Sequence, residues 1–205
     1  MHELNLTDPR VQAAMQLVDR KAFLEPERKQ HAGTDAPISI GYEQTTSQPS
    51  LVAWMLEQLQ VRPRMRVLEV GTGCGYVTAL LSQLGAEVFS VEILAPLSER
   101  AGRTLARLEV PNVHLRVGDG YAGWPEEAPF DAIIVAAGAA KVPQPLIDQL
   151  APRGRLLMPV GTGDSMELVM VERDAGGVVR SRSLMPVRFV PLTGAPADAD
   201  RASHR

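Results

Sequence analysis

The run Val67-Leu-Glu-Val-Gly-Thr-Gly-Cys-Gly-Tyr76 decides how this chain is read. An apolar, strand-like stretch opens directly into glycines at 71, 73 and 75. Glycines at alternate positions let a backbone and a ligand approach with no Cβ between them. Strand, glycine loop and helix together form the nucleotide site of doubly wound sheets, where the ligand lies beyond the carboxyl ends of the strands. A nicotinamide or flavin dinucleotide calls for G-x-G-x-x-G, with its pyrophosphate on the helix start. Here the slot of the third glycine holds Tyr76, one residue out of register. A tight strand–helix turn with no ligand is the plain alternative.

The flanking sequence extends the pattern. Short apolar runs at 66–70, 87–92, 113–117, 131–136 and 155–160 alternate with helical stretches at 76–84, 95–108 and 142–150. Such alternation predicts an α/β fold with a doubly wound, mainly parallel sheet and helices on both faces. Near the end, 167–172 and 178–184 flank Arg173-Asp-Ala-Gly-Gly177, which predicts an antiparallel C-terminal hairpin. Upstream, Asp8 and Pro9 read as a helix start, with Val11, Met15, Leu17 and Val18 turned to a core. Pro49 opens a second helix, with Leu51, Val52, Met55, Leu56 and Leu59 on one face. Residues 24–49 have no period and read as loop, of a length more often functional than idle. One domain over 1–205 is expected. It divides into N-terminal helices and a substrate loop (1–62), a cofactor-binding core (63–172), C-terminal strands (173–194) and a tail (195–205) that should fray.

Composition narrows the class. The 205 residues are 45% hydrophobic and carry a net charge of −3, which suits a globular chain and not a dedicated nucleic-acid binder. The single cysteine, Cys74, excludes an internal disulfide and a cysteine-rich metal site, and reads as a small filler in the turn. MHELNLTDPR has no apolar core of a signal peptide, and no run is long enough to span a bilayer. A cytoplasmic monomer without metal, membrane or nucleic-acid partners is the expectation.

Two carboxylates extend the glycine loop. Glu92 ends the next strand, 21 positions after Gly71, where it can accept the hydroxyl hydrogens of a ribose. Asp119, in Gly118-Asp-Gly120, either accepts from an adenine amino group or only makes a turn. The G-x-G-x-G spacing resembles motif I of the S-adenosylmethionine-dependent methyltransferases. Taken with Ile40-Gly-Tyr-Glu-Gln-Thr-Thr-Ser-Gln-Pro49, Gly118-Asp-Gly-Tyr121, Pro129-Phe-Asp-Ala-Ile-Ile-Val135, Leu150-Ala-Pro-Arg-Gly-Arg-Leu157 and Val187-Arg-Phe-Val-Pro-Leu192, the chain resembles the protein-L-isoaspartate (D-aspartate) O-methyltransferases. The Gln-Thr-x-Ser-x-Pro and Phe-Val-Pro-Leu segments are the diagnostic ones.

That resemblance implies methylation of the α-carboxylate of L-isoaspartyl residues, and of the side-chain carboxylate of D-aspartyl residues. The ester then closes to a succinimide, which starts repair of aged protein. It implies S-adenosyl-L-methionine as cofactor, S-adenosyl-L-homocysteine as product and damaged proteins or peptides as partners. Ser47 becomes the catalytic residue. Glu69, Gly71, Thr72, Gly73, Gly75, Tyr76, Glu92, Asp119 and Gly120 become the cofactor set. Gln44, Thr45, Thr46, Ser47, Val190, Pro191 and Leu192 become the substrate set. From the residues alone, Ser47 reads first as a cap for the helix that follows, and the resemblance reverses that reading.

A carboxylate acceptor needs no general base, because its ordinary pKa of about 4 leaves it ionised at neutral pH. The chain shows no His–acid dyad, and His2, His31, His114 and His204 read as surface or terminal residues. Two departures from the family pattern bear on the substrate: Glu43 replaces a glycine, and Ala136 stands where a threonine is common. They keep open a carboxyl methyltransferase acting on another peptide or small-molecule carboxylate. A binding protein that retained the fold and lost the activity is a further alternative.

Overall fold

The structure, a computed structural model, describes residues 6–163 and 165–194. The 195–205 tail, His2 and His204 lie outside the described residues. Helix α1, Pro9–Leu17, starts as its sequence dictates, with Asp8 accepting from the Arg10 amide and Pro9 in the first turn. Val11 and Ala14 are buried, but Leu17 is 69% exposed, against the expectation that it faces the core. Six positions beyond Val11, it lies about 240° round the helix and points away from the packed stripe.

Two 3₁₀ turns follow, Arg20–Phe23 and Pro26–His31. The stretch 24–49 is less irregular than expected, because β1, Ile38–Gly41, and β2, Gln44–Thr46, pair as an antiparallel hairpin. Its turn residues Tyr42 and Glu43 both have positive φ, 54° and 58°. Two-residue turns of this kind usually carry Asn-Gly, and the absence of that pair hid the hairpin. Helix α2, Pro49–Leu59, buries Val52, Met55, Leu56 and Leu59 on the expected face.

Strand–helix alternation then runs as expected: β3 Arg66–Val70, α3 Tyr76–Gln83, β4 Glu87–Glu92, α4 Ala95–Arg107, β5 Val113–Val117, β6 Phe130–Val135 and α5 Gln144–Asp148. β7 Leu150–Thr162, β8 Ser165–Arg173 and β9 Val179–Val187 complete the chain. The helix expected over 142–150 is shorter, and the strand expected over 155–160 is longer. Leu150 already pairs with Phe130 and Arg155 with Ala132, so β7 begins at Leu150 and bulges before the regular ladder. Arg153, at φ 64°, turns the chain there.

The seven-stranded sheet has the order β5-β4-β3-β6-β7-β8-β9. Its pairs from β5 to β7 are parallel, and β7–β8 and β8–β9 are antiparallel. β3 leads to β4 on one side and lies against β6 on the other, so the topological switch falls at its carboxyl end, where the glycine loop begins. Alternate residues of β3 feed two cores, with Val67 joining Leu56, Leu80 and Leu81, and Leu68 joining Phe89, Phe130 and Ile133. Each such side chain removed from water contributes roughly 2 kcal/mol. The cores on both faces hold the carboxyl edge of the sheet rigid.

Candidate active site

Gly71 and Gly73 leave β3 with φ of 96° and 55°. A Cβ on Gly73 would meet Ile40 at 3.2 Å, and one on Gly120 would meet Val70 at 2.4 Å, so these glycines keep the floor of a cleft bare. Gly75 acts elsewhere: its Cβ would meet Ala101 and Leu105 at 3.3 Å, so it admits α4 against the loop. Glu92, 6% exposed, ties the cleft together, accepting from the Gly73 amide at 2.9 Å and the Leu94 amide at 3.0 Å. A carboxylate has about four acceptor sites, so both oxygens retain capacity for ribose hydroxyls.

The cleft is lined by Gly71, Gly73, Glu92, Ile93, Gly120 and Ala137 on the sheet side. Ile40, Gln44 and Thr45 of the hairpin and Val190, Pro191 and Leu192 of the C-terminal stretch enclose it. That stretch is fastened to the sheet, with the Gly138 amide donating to Val190 at 2.8 Å and the Leu192 amide to Gly138 at 2.7 Å. A second cavity of about 490 Å³ adjoins it and is lined by Ser47, Gln48, Leu51, Met185, Arg188 and Phe189. Thr45, Ala136 and Val190 line both and form the partition.

Not every expected site residue reaches these cavities. Thr46, expected on the substrate side, is buried and hydrogen-bonded to the Cys74 sulfur, because the strand alternation that exposes Thr45 turns its neighbour inward. The Tyr76 ring packs edge-on to Phe23 at 5.8 Å, away from the cleft, and burial pushes its hydroxyl up. Thr72 bonds Ser90 at 2.6 Å and stabilises the loop from behind. Asp119 accepts from the Tyr121 amide at 2.9 Å and lies against Gly194. Glu69, fully buried, accepts from Thr78 at 2.5 Å and Ser90 at 2.6 Å. Burial pushes its carboxyl up to about 7, the hydroxyls of Ser90 and Thr78 pull it down, and Glu92 pushes it up again.

Ser47 does not cap α2. Gln48 holds the cap position without a side-chain bond, and Asp35 caps the helix from a distance, accepting from the Ser50 amide at 2.9 Å and from Gln48 Nε2 at 2.8 Å. Burial raises the Asp35 carboxyl, and these bonds more than offset that, holding it below its usual range. Glu43 is exposed and lines neither cavity, so it brings no charge into the second one. The sequence reading missed Asp35 and Ile93, and also the buried Arg20. Their only signal is proximity in space, except that Ile93 follows Glu92.

A parallel sheet switching direction at a bare glycine loop, with a carboxylate at the end of the neighbouring strand, defines a Rossmann-like methyltransferase. The family model of protein-L-isoaspartate(D-aspartate) O-methyltransferase (PCMT) matches residues 2–197, and the chain belongs to that family. It is 50% identical over 184 residues to a Gloeobacter violaceus protein-L-isoaspartate O-methyltransferase, covering 89% of each chain. It is 49% identical to protein-L-isoaspartate O-methyltransferase 1 of Anaeromyxobacter sp. (strain Fw109-5), covering 94% of this chain and 92% of that one. A solved protein-L-isoaspartate O-methyltransferase superimposes with a TM-score of 0.83 at 30% identity, covering 93% of this chain, which spans 63% of that structure. A Plasmodium falciparum structure named for the same enzyme, in complex with S-adenosyl-L-homocysteine, gives a TM-score of 0.80 at 26% identity, covering 91% of each chain. Among the described residues no helix is long and apolar enough to cross a membrane, and no group of three or more His, Cys, Asp or Glu could hold a metal ion.

Proposed function

We propose that this chain methylates the α-carboxylate of L-isoaspartyl residues, and the side-chain carboxylate of D-aspartyl residues, in damaged proteins or peptides, with Ser47 orienting the acceptor. The observation that carries this reading is the partition of Thr45, Ala136 and Val190, which puts the glycine-loop cleft and the Ser47 cavity wall to wall. S-adenosylmethionine, when bound, supplies an electrophilic methyl group on a cationic sulfur. The bare glycines at 71, 73 and 120 suit a ligand held against the backbone, and Glu92 suits its ribose.

The chain's own residues do the positioning. Ser47 is a hydroxyl donor with no capping duty, free to hold one carboxylate oxygen. Thr45 offers a second hydroxyl at the partition. The apolar walls Leu51, Met185 and Phe189 exclude water from an ionised nucleophile. Because the acceptor arrives as a carboxylate, no side chain has to remove a proton. Alignment of this kind is worth roughly 7–11 kcal/mol. Gln44 lines the cofactor cleft and supports the hairpin wall, with Nε2 donating to Tyr42 at 3.3 Å.

Transfer of a labelled methyl group to two peptides that differ only in one isoaspartyl or aspartyl linkage tests the reading. The isoaspartyl peptide alone should be methylated, and Ser47→Ala should lower kcat/KM about 100-fold while leaving cofactor affinity unchanged. Equal labelling of both peptides, or a Ser47→Ala enzyme at full rate, would sink it.

A further inference from the structure

Arg20 is 5% exposed, yet no carboxylate bonds it among the described residues. Its guanidinium is spread over four backbone carbonyls instead. Nη1 donates to Ala32 at 3.5 Å and Thr34 at 3.0 Å, and Nη2 to Ala36 at 3.0 Å and Ser47 at 3.1 Å. The first three lie in the segment that leads into the hairpin, and the fourth belongs to the residue at the second cavity. Nε has no partner. A planar fork with five donors can gather carbonyls from several directions, which an ammonium cannot do. Next to Ser47 in the chain, Asp35 holds the Gln48 side chain and the Ser50 amide. The chain around Ser47 is therefore held at two points, by Arg20 at the Ser47 carbonyl and by Asp35 at Gln48 and Ser50.

We infer that Arg20 is a positioning residue for the methyl transfer: through the Ser47 carbonyl it aims the Ser47 hydroxyl into the acceptor cavity. This rests on the reading given above. A buried cation bonded only to main-chain carbonyls serves no surface charge pattern. Two of its four acceptors belong to that cavity's wall or adjoin it: Ser47 lines it, and Ala36 precedes the lining residue Pro37. Arg20 touches no reacting atom, so its effect must pass through Ser47.

A double-mutant cycle with Arg20→Lys and Ser47→Ala, assayed on the isoaspartyl peptide, tests this. Arg20→Lys should lower kcat/KM for the peptide about 10- to 100-fold, with the S-adenosylhomocysteine Kd within twofold of wild type by calorimetry. In the Ser47→Ala background the same substitution should change the rate less than twofold. Full additivity of the two losses, or unchanged peptide kinetics in folded Arg20→Lys protein, overturns the inference. A wild-type enzyme that fails on the isoaspartyl peptide sinks the functional reading instead. Arg20 is then read by hydrogen exchange, where amides of 32–47 should lose protection in Arg20→Lys, and unaltered protection overturns the clamp itself.

Discussion

Glu69 shows at the residue scale how burial converts a motif residue into a pH-sensitive element. It shares the face of β3 that carries Val67, so it is enclosed by α3 and β4. One oxygen accepts two hydroxyls and the other has no partner. With its carboxyl pushed from 4.5 to about 7, the folded chain holds a proton that the unfolded chain releases across that range. The resulting stability is complete below about pH 4.5 and is lost as pH rises through 7. Urea unfolding between pH 5 and 8 should therefore show wild type losing on the order of 3 kcal/mol relative to Glu69→Gln. Parallel curves would mean the group is charged throughout. The sequence marks Glu92, 23 positions later, by its place at a strand end, but that Glu69 is wholly enclosed is decided by packing.

Among the elements, the β1–β2 hairpin was the least legible. Its strands are short, and its turn uses Tyr42 and Glu43 in the left-handed region, where a side chain costs about 1 kcal/mol or more. Glu43→Gly should raise unfolding stability by roughly 0.5–1 kcal/mol without changing the peptide KM, since Glu43 lines neither cavity. A loss of stability, or a shifted KM, would show that the side chain has a role the turn does not explain. By contrast α2 and the β3–α3–β4 unit were legible to within a residue or two. Their apolar periods are long enough to declare which face is buried. The boundary between α5 and β7 was misplaced because a bulge near Arg153 breaks the period there.

The whole molecule closes one site from distant parts of the chain: the hairpin near 40, the glycine loop near 71, the strand end at 92 and the stretch at 190–192. A ligand that touches all of them must stabilise the whole fold. S-adenosylhomocysteine at 100 times its Kd should add about 2.7 kcal/mol to unfolding, read as a shift of the denaturation midpoint. NAD at millimolar concentration should add nothing. A shift with NAD would return the glycine loop to the dinucleotide class, which its spacing disfavours.

The sequence by itself determined the parallel α/β architecture, the glycine loop with Glu92 beyond it and the antiparallel end, because periodicity and glycine placement are local properties of a chain. It also carried the family, through the Gln44–Pro49 and Val187–Leu192 segments. Only the tertiary structure decided that Thr45 faces the partition while Thr46 faces Cys74. Likewise, it alone showed that Asp35 and not Ser47 caps α2, and that Arg20 grips the loop carrying Ser47. Those choices depend on which groups meet from 13 to 28 positions apart in the chain. Burial and hydrogen-bond partners at such separations exist only once the chain has packed.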